Sequence, residues 1–148
     1  MPKFLESKKL DYTAYELYSL VIDIEKYPEF VPWCTEATIL SNSENTVIAE
    51  LFIKFGFVSH SYKSKIMHDK TDEGYFVNIT QEEGPFKYLN TRWQFKKDGN
   101  RSSIVDFEIE LELDSQIHNL ILEGFFPTAT KIMINSFEER ARRIYGTN

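Results

Sequence analysis

The chain of 148 residues holds one cysteine, Cys34, so no disulfide can close within it. That usage suits a reducing compartment. Basic charge is short: 17 Lys and Arg stand against 23 Asp and Glu, for a net charge of −6. A phosphate backbone needs a basic stripe to meet it, so DNA is excluded as the expected partner. The same balance weakens simple attraction to anionic lipid headgroups. Long apolar runs are missing, with no window near the roughly 18 residues of a membrane-spanning helix. The opening residues, MPKFLESKKLDYTAYE, have neither an apolar signal core nor Arg- and Ser-rich transit character. A cytoplasmic location is the expectation.

Catalytic signatures are short too. GxGxxG and GxxxxGK are absent, so Gly84-Pro85 is no phosphate loop. Ser59-His60 lacks the glycines of a nucleophile elbow. His60 and His68 share one side of a strand, but with Cys34 they do not complete a convincing metal set. The carboxylates of Asp106, Glu108, Glu110 and Glu112 form a ladder opposite an apolar face, which describes a solvated sheet better than a general acid in a cleft. No catalytic constellation is left, and no metal or redox cofactor is implied. The expectation is a binding protein, not an enzyme.

What the chain has in quantity is aromatic surface: twelve Phe, eight Tyr and two Trp. Large flat side chains fill cores and also line apolar pockets. With no repeat, low-complexity stretch or linker, residues 1–148 read as one domain. A chain of this size buries roughly 68–70% of its unfolded surface, enough for one substantial core.

Residues 3–10 fit a first strand. Thr13 and Glu16 have capping-box spacing, followed by a helical apolar face of Leu17, Leu20, Val21 and Ile24. Pro28 is expected to end that helix. YPEFVPWC (27–34) then packs aromatics between prolines. In TVIAELFIKF (46–55), Val47, Ala49, Leu51, Ile53 and Phe55 share a face; 58–68 and 75–81 are further strands. Residues 86–113 form the clearest hairpin. A three-residue loop ending at Asn100 keeps both its faces pure, pairing Trp93 with Val105 and Arg92 with Asp106.

From about Ser115 the period is helical, with a stripe of Ile117, Ile121, Phe125, Ala129, Ile132, Met133, Phe137, Ala141 and Ile144. Gly124 and Pro127 are expected to kink or interrupt it, and Gly146 to cap it. The fold class is therefore α+β: a curved antiparallel sheet of six or seven strands covered by a long C-terminal helix.

YPEFVPWC (27–34), GPFKYLNTRWQF (84–95) and SFEERARRIYG (136–146) together resemble the coenzyme Q-binding family of START-like proteins. The similarity spans almost the whole chain. It implies a helix-grip fold, with a hydrophobic cavity between sheet and helix, and a carrier or chaperone of ubiquinone or a similar polyprenyl lipid, supporting coenzyme Q synthesis or delivery to the respiratory chain. Transient inner-membrane contact is part of that expectation. Bacterial members of the family are also described as ribosome-association toxins, so a ribosome-directed partner that blocks subunit joining is the alternative. Mitochondrial members carry a presequence; its absence here points to a bacterial protein.

The resemblance places the first short helices across one end of the cavity, with Phe30, Val31 and Trp33 facing the lipid or the membrane. Further contacts are expected from Leu51, Phe55, Phe86, Leu89, Trp93 and Phe107 on the sheet, and from Phe125, Phe126, Ala129 and Met133 on the helix. An enzyme of the wider START-like group would need a polar cluster inside; Thr91 is the one interior polar residue the strand pattern offers.

Overall fold

The computed structural model describes residues 3–55, 58–113 and 116–146, with the side chains of residues 55, 58, 113 and 116–126 outside that description. Seven strands form one antiparallel sheet: β1 (Lys3–Leu10), β2 (Cys34–Ser43), β3 (Thr46–Phe55), β4 (Val58–Lys70), β5 (Gly74–Glu83), β6 (Phe86–Lys97) and β7 (Ser103–Leu113). Their spatial order is β1-β7-β6-β5-β4-β3-β2. All neighbours but β1 and β7 are joined in sequence, and β1 returns to pair with β7. Two α-helices, α1 (Ala14–Ile22) and α2 (Gln116–Tyr145), cover the inner face of this curved helix-grip sheet. Among the described residues, no helix is long and apolar enough to cross a membrane.

The alternation in β3 and β7 becomes the buried face. Val47, Ala49 and Leu51, with Val105, Phe107 and Leu111, turn inward. Their odd-numbered neighbours on β6, Leu89, Trp93 and Phe95, are buried beside them. Outside, the acidic ladder is paired: Arg92 reaches Glu108 at 2.8 Å and Lys96 reaches Asp106 at 2.8 Å. The hairpin register differs from the expected one. Trp93 lies opposite Phe107 and Arg92 opposite Glu108, because residues 98–102 all belong to the loop. The Asp98 N–H donates to the Ser102 carbonyl, and Gly99, not Asn100, takes the left-handed backbone at φ 83°.

The capping box forms as expected. The Glu16 N–H donates to Thr13 Oγ1 at 3.1 Å and the Thr13 N–H to Glu16 Oε1 at 2.9 Å. The helix stops at Ile22, before Pro28, and Pro28 lies inside a short 3-10 helix, Ile24–Glu29. Asp23 makes the break at φ −86°, ψ 67°, and the Tyr27 hydroxyl donates to the freed Val21 carbonyl. Strand β2 was not anticipated. It is an edge strand with two register shifts and a mostly exposed pattern, so it carries little alternation.

Gly124 and Pro127 do not interrupt α2, which runs through to Tyr145. Gly146 caps it at φ 85°, its N–H donating to the Arg142 carbonyl at 2.9 Å. Among its described side chains, Thr130, Ile134, Phe137 and Ala141 form the buried face of α2. Ile132 and Ile144, expected on the stripe, are 46% and 50% exposed. The residues 117, 121 and 125 of that stripe lie outside the described side chains.

Candidate functional site

Between the sheet and the described side chains of α2 the packing is not continuous. One half of the inner face is filled by α1, whose Leu17, Leu20 and Val21 pack on Phe95, Val105 and Phe107. Trp93 ends that filled half. Its ring stacks 5.7 Å from Phe95 and meets Phe107 at 4.5 Å and Phe137 of α2 at 5.2 Å, both edge-on. Beyond this aromatic floor a cavity of about 160 Å³ opens between sheet and helix.

Each wall has a different element behind it. Leu51 and Ile53 come from β3, Tyr62 from β4, Ile79 from β5, and Ile109 and Leu111 from β7. Strand β6 supplies Leu89, Thr91 and Trp93 from its odd-numbered inner face, and Phe86 joins them because a register shift separates it from Tyr88. The roof is Ala129, Thr130, Met133 and Phe137 of α2. The segment after α1 closes one side with Tyr27, Val31, Trp33 and Cys34.

Phe86 is held by its neighbour across the turn. Gln81 donates from Nε2 to the Phe86 carbonyl at 2.6 Å and accepts from the Phe86 N–H at 3.1 Å. This clamp sets the Phe86 ring edge-on to Tyr62 at 5.8 Å. Gly84 makes room for the arrangement: a Cβ there would stand 2.5 Å from Tyr62 Cβ and 2.4 Å from Gln81 Oε1.

An apolar void of about 150 Å³ is enough for a benzene ring, whereas drug-sized pockets run to roughly 300–1,000 Å³. The enclosed space therefore takes one ring or a short length of chain. Anything longer leaves through an end. The end marked by the Phe86–Leu113 pair is where β3 finishes and β6 begins.

No Lys, Arg, His, Asp or Glu is among the described residues lining the cavity. Its polar side-chain atoms belong to Tyr27, Cys34, Tyr62, Thr91 and Thr130, with the indole N–H groups of Trp33 and Trp93. Burial pushes the Tyr62 phenol up, with Cys34 nearby adding to it. Burial likewise pushes the Cys34 thiol up to about 11, against the hydrogen bond it donates to the Glu36 carbonyl. Both groups are neutral at pH 7. The arrangement can enclose an apolar molecule; it presents no ionised base or nucleophile to one.

Of the residues expected at such a site, Val31, Trp33, Leu51, Phe86, Leu89, Trp93, Ala129 and Met133 line the cavity. Phe107 lies below the floor, 2% exposed, packed on Trp93. Phe30 is outside as well. Its ring sits edge-on to Phe137 at 5.0 Å, the Arg140 guanidinium lies 5.0 Å over it, and Arg140 Nη2 reaches Glu29 Oε1 at 3.0 Å. Phe30 thus fastens the 3-10 helix to α2 instead of lining the cavity. The side chains of Phe55, Phe125 and Phe126 lie outside the described residues. His68 is no ligand partner for His60; its Nδ1 shares a 2.6 Å hydrogen bond with the Tyr18 hydroxyl.

Four of the lining residues not expected as contacts show how visible such positions are in the sequence. Ile53, Ile109 and Leu111 continue faces already read as inward, so their signal was present. Tyr62 was hidden because its strand also turns Ser64, 1% exposed, and His68 inward, which blurs the alternation.

Residues 10–138 match the family model described as "Polyketide cyclase / dehydrase and lipid transport". A ribosome association toxin RatA of Rickettsia prowazekii (strain Madrid E) is 36% identical, over 97% of this chain and 99% of that protein. A mitochondrial coenzyme Q-binding protein COQ10 of Dictyostelium discoideum is 32% identical, over 96% of this chain and 70% of its own length. A START superfamily protein of Mycobacterium smegmatis has the same fold, with a TM-score of 0.82 at 14% identity over 96% of this chain and 98% of that one.

Proposed function

From the premise that the chain belongs to the polyketide cyclase / dehydrase and lipid transport family, we propose that it is a non-catalytic carrier of ubiquinone or a similar polyprenyl lipid. The observation that carries this reading is the cavity itself: about 160 Å³, apolar-walled and without an ionised group among its described lining residues. Its size matches a ring or a few prenyl carbons, and each Å² of apolar ligand buried there is worth roughly 25 cal/mol. The printed name of the Dictyostelium relative, a coenzyme Q-binding protein, gives the same ligand class.

In this role the protein lifts a quinone out of lipid, shields its head and yields it to a synthetic enzyme or to the respiratory chain. It works from the cytoplasm, meeting the inner membrane only to load and unload. Mass spectrometry of organic extracts from the protein, purified out of a quinone-producing cell, tests this directly. Stoichiometric isoprenoid quinone is expected. An empty protein that also fails to take up added quinone overturns the reading.

The 36% identity to a ribosome association toxin favours a second reading, in which the chain binds a ribosomal subunit and blocks joining. The net charge of −6 makes direct contact with rRNA phosphates unfavourable, so a protein surface would be its target there. Sucrose-gradient profiles after overexpression separate the two. A loss of assembled ribosomes with respiration intact supports the ribosomal reading.

A further inference from the structure

We propose that the Tyr62 hydroxyl, with Thr91 deeper in the same cavity, holds a carbonyl oxygen on the ring of the bound lipid. This rests on the carrier reading and adds to it the residues that hold the head and an orientation.

A purely hydrocarbon cargo would need only apolar walls, yet hydroxyls stand among them. Three polar lining groups are accounted for. The Tyr27 hydroxyl donates to the Val21 carbonyl, the Cys34 thiol to the Glu36 carbonyl, and Thr130 has a partner of its own. Tyr62 and Thr91 make no hydrogen bond among the described residues, although Thr91 is only 7% exposed. A hydroxyl that lines an apolar cavity gains about 0.5–1.5 kcal/mol when a ligand there accepts its hydrogen bond.

The positions are built, not incidental. Gly84 leaves the space into which the Tyr62 Cβ fits, and the Gln81 clamp on Phe86 backs the Tyr62 ring. Thr91 lies opposite Ile79 and Ile109, two places along β6 from the Trp93 floor. A donor partway down and a second near the floor suit a ring with oxygen on it, entering head first with its tail trailing past Phe86.

The walls also say which heads do not fit. A carboxylate or phosphate would be buried here without a cation, since no Lys, Arg or His is among the described lining residues. A neutral acceptor, as in a quinone ring, suits these described walls better than the ionised head of a fatty acid or phospholipid. Burial holds the Tyr62 proton on, so its phenol is a hydrogen-bond donor.

Two probes test this on the full chain: a fully substituted benzoquinone with a short alkyl tail, and the alkylbenzene of the same shape without oxygen. Full substitution leaves no ring carbon for the Cys34 thiol to attack. Binding is read by calorimetry and by the fluorescence of Trp33 and Trp93, the chain's two tryptophans, both on the cavity wall. Tyr62→Phe should weaken quinone binding by about 3- to 10-fold, the range of one net hydrogen bond, and leave the hydrocarbon unchanged. Thr91→Val should act in the same direction. Unchanged hydrocarbon affinity shows that each variant is folded.

Equal losses for both probes, or no loss for either, overturn the proposal. The infrared carbonyl stretch of the quinone bound to the unaltered protein gives an independent answer: a lowered frequency relative to hydrocarbon solvent supports the anchor, and an unshifted one refutes it. If neither probe binds the unaltered protein, the carrier reading falls and the anchor falls with it.

Discussion

Ala129 sits half-buried on the roof of the cavity, one turn before Met133. Replacing it with leucine adds three carbons that have only the cavity to enter. At about 0.8 kcal/mol per buried carbon the gain approaches 2.4 kcal/mol. Ordering the new side chain takes back about 0.5–1 kcal/mol. A net gain of roughly 1.5–2 kcal/mol should raise the Tm by roughly 3–8 °C for a chain of this length. The same carbons then compete with a ligand. Crowding of this kind costs about 1–3 kcal/mol, which is about 5- to 150-fold in Kd. Ala129→Leu is thus expected to make the empty protein more stable and a worse binder at once. Thermal melts and titration with the quinone probe measure both. A lowered Tm with unchanged binding would mean that the space over Ala129 is not a ligand cavity, and the reasoning would fail at its first step.

Three further outcomes are expected. Thr13→Ala removes one side of the capping box of α1 and should destabilise the fold by about 1 kcal/mol, seen as a drop of about 2–4 °C in Tm; no change would show that the cap is redundant. The hydrogen bond from Arg140 holds the Glu29 carboxyl below its ordinary value of 4.5. Its folded value lies below its unfolded one, so the stabilisation is present above pH 4.5 and fades as the pH falls through the folded value. Glu29→Gln should accordingly be less stable than the unaltered protein at neutral pH, with the gap narrowing in acid; a gap that stays constant with pH refutes the pairing. Finally, the Cys34 thiol, pushed up to about 11 mainly by burial, should react with iodoacetamide far more slowly in the native protein at pH 7.5 than in urea, because the thiolate is the nucleophile. Equal rates would place Cys34 outside the closed cavity wall.

How far the chain could be read beforehand depends on what each segment does with water. Strands β3 and β7 have one dry and one wet face, so Leu51, Ile53, Ile109 and Leu111 announce their side. The β6–β7 hairpin shows where that logic stops. A loop of residues 98–100 and one of residues 98–102 preserve the same faces, since the side-chain period is two. Face purity alone could not tell Trp93–Val105 from the observed Trp93–Phe107. Strand β2 was invisible because an edge with bulges has almost no buried side to mark it. Phe30 misled because an aromatic at a bend reads alike whether it lines a cavity or, as here, clips a 3-10 helix to α2 through Phe137 and Arg140. Tyr62 was missed for the opposite reason: hydroxyl and imidazole groups turned inward look like an outer face.

The return of β1 to β7 has a bearing on how the protein comes into being. Lys3 pairs with Glu110, Lys8 reaches Glu138 at 2.6 Å, and the Tyr12 hydroxyl donates to the Gly146 carbonyl at 2.9 Å. The first strand therefore waits for the last, and the trough stays uncovered until α2 follows. Such distant pairings fold slowly and leave apolar surface open meanwhile. A lipid that fits the trough binds the folded form and not the unfolded chain, and it favours folding by RT ln(1 + [L]/Kd). On the carrier reading, cargo and roof are steps of one assembly, and the amount of folded protein should rise with the ligand supplied.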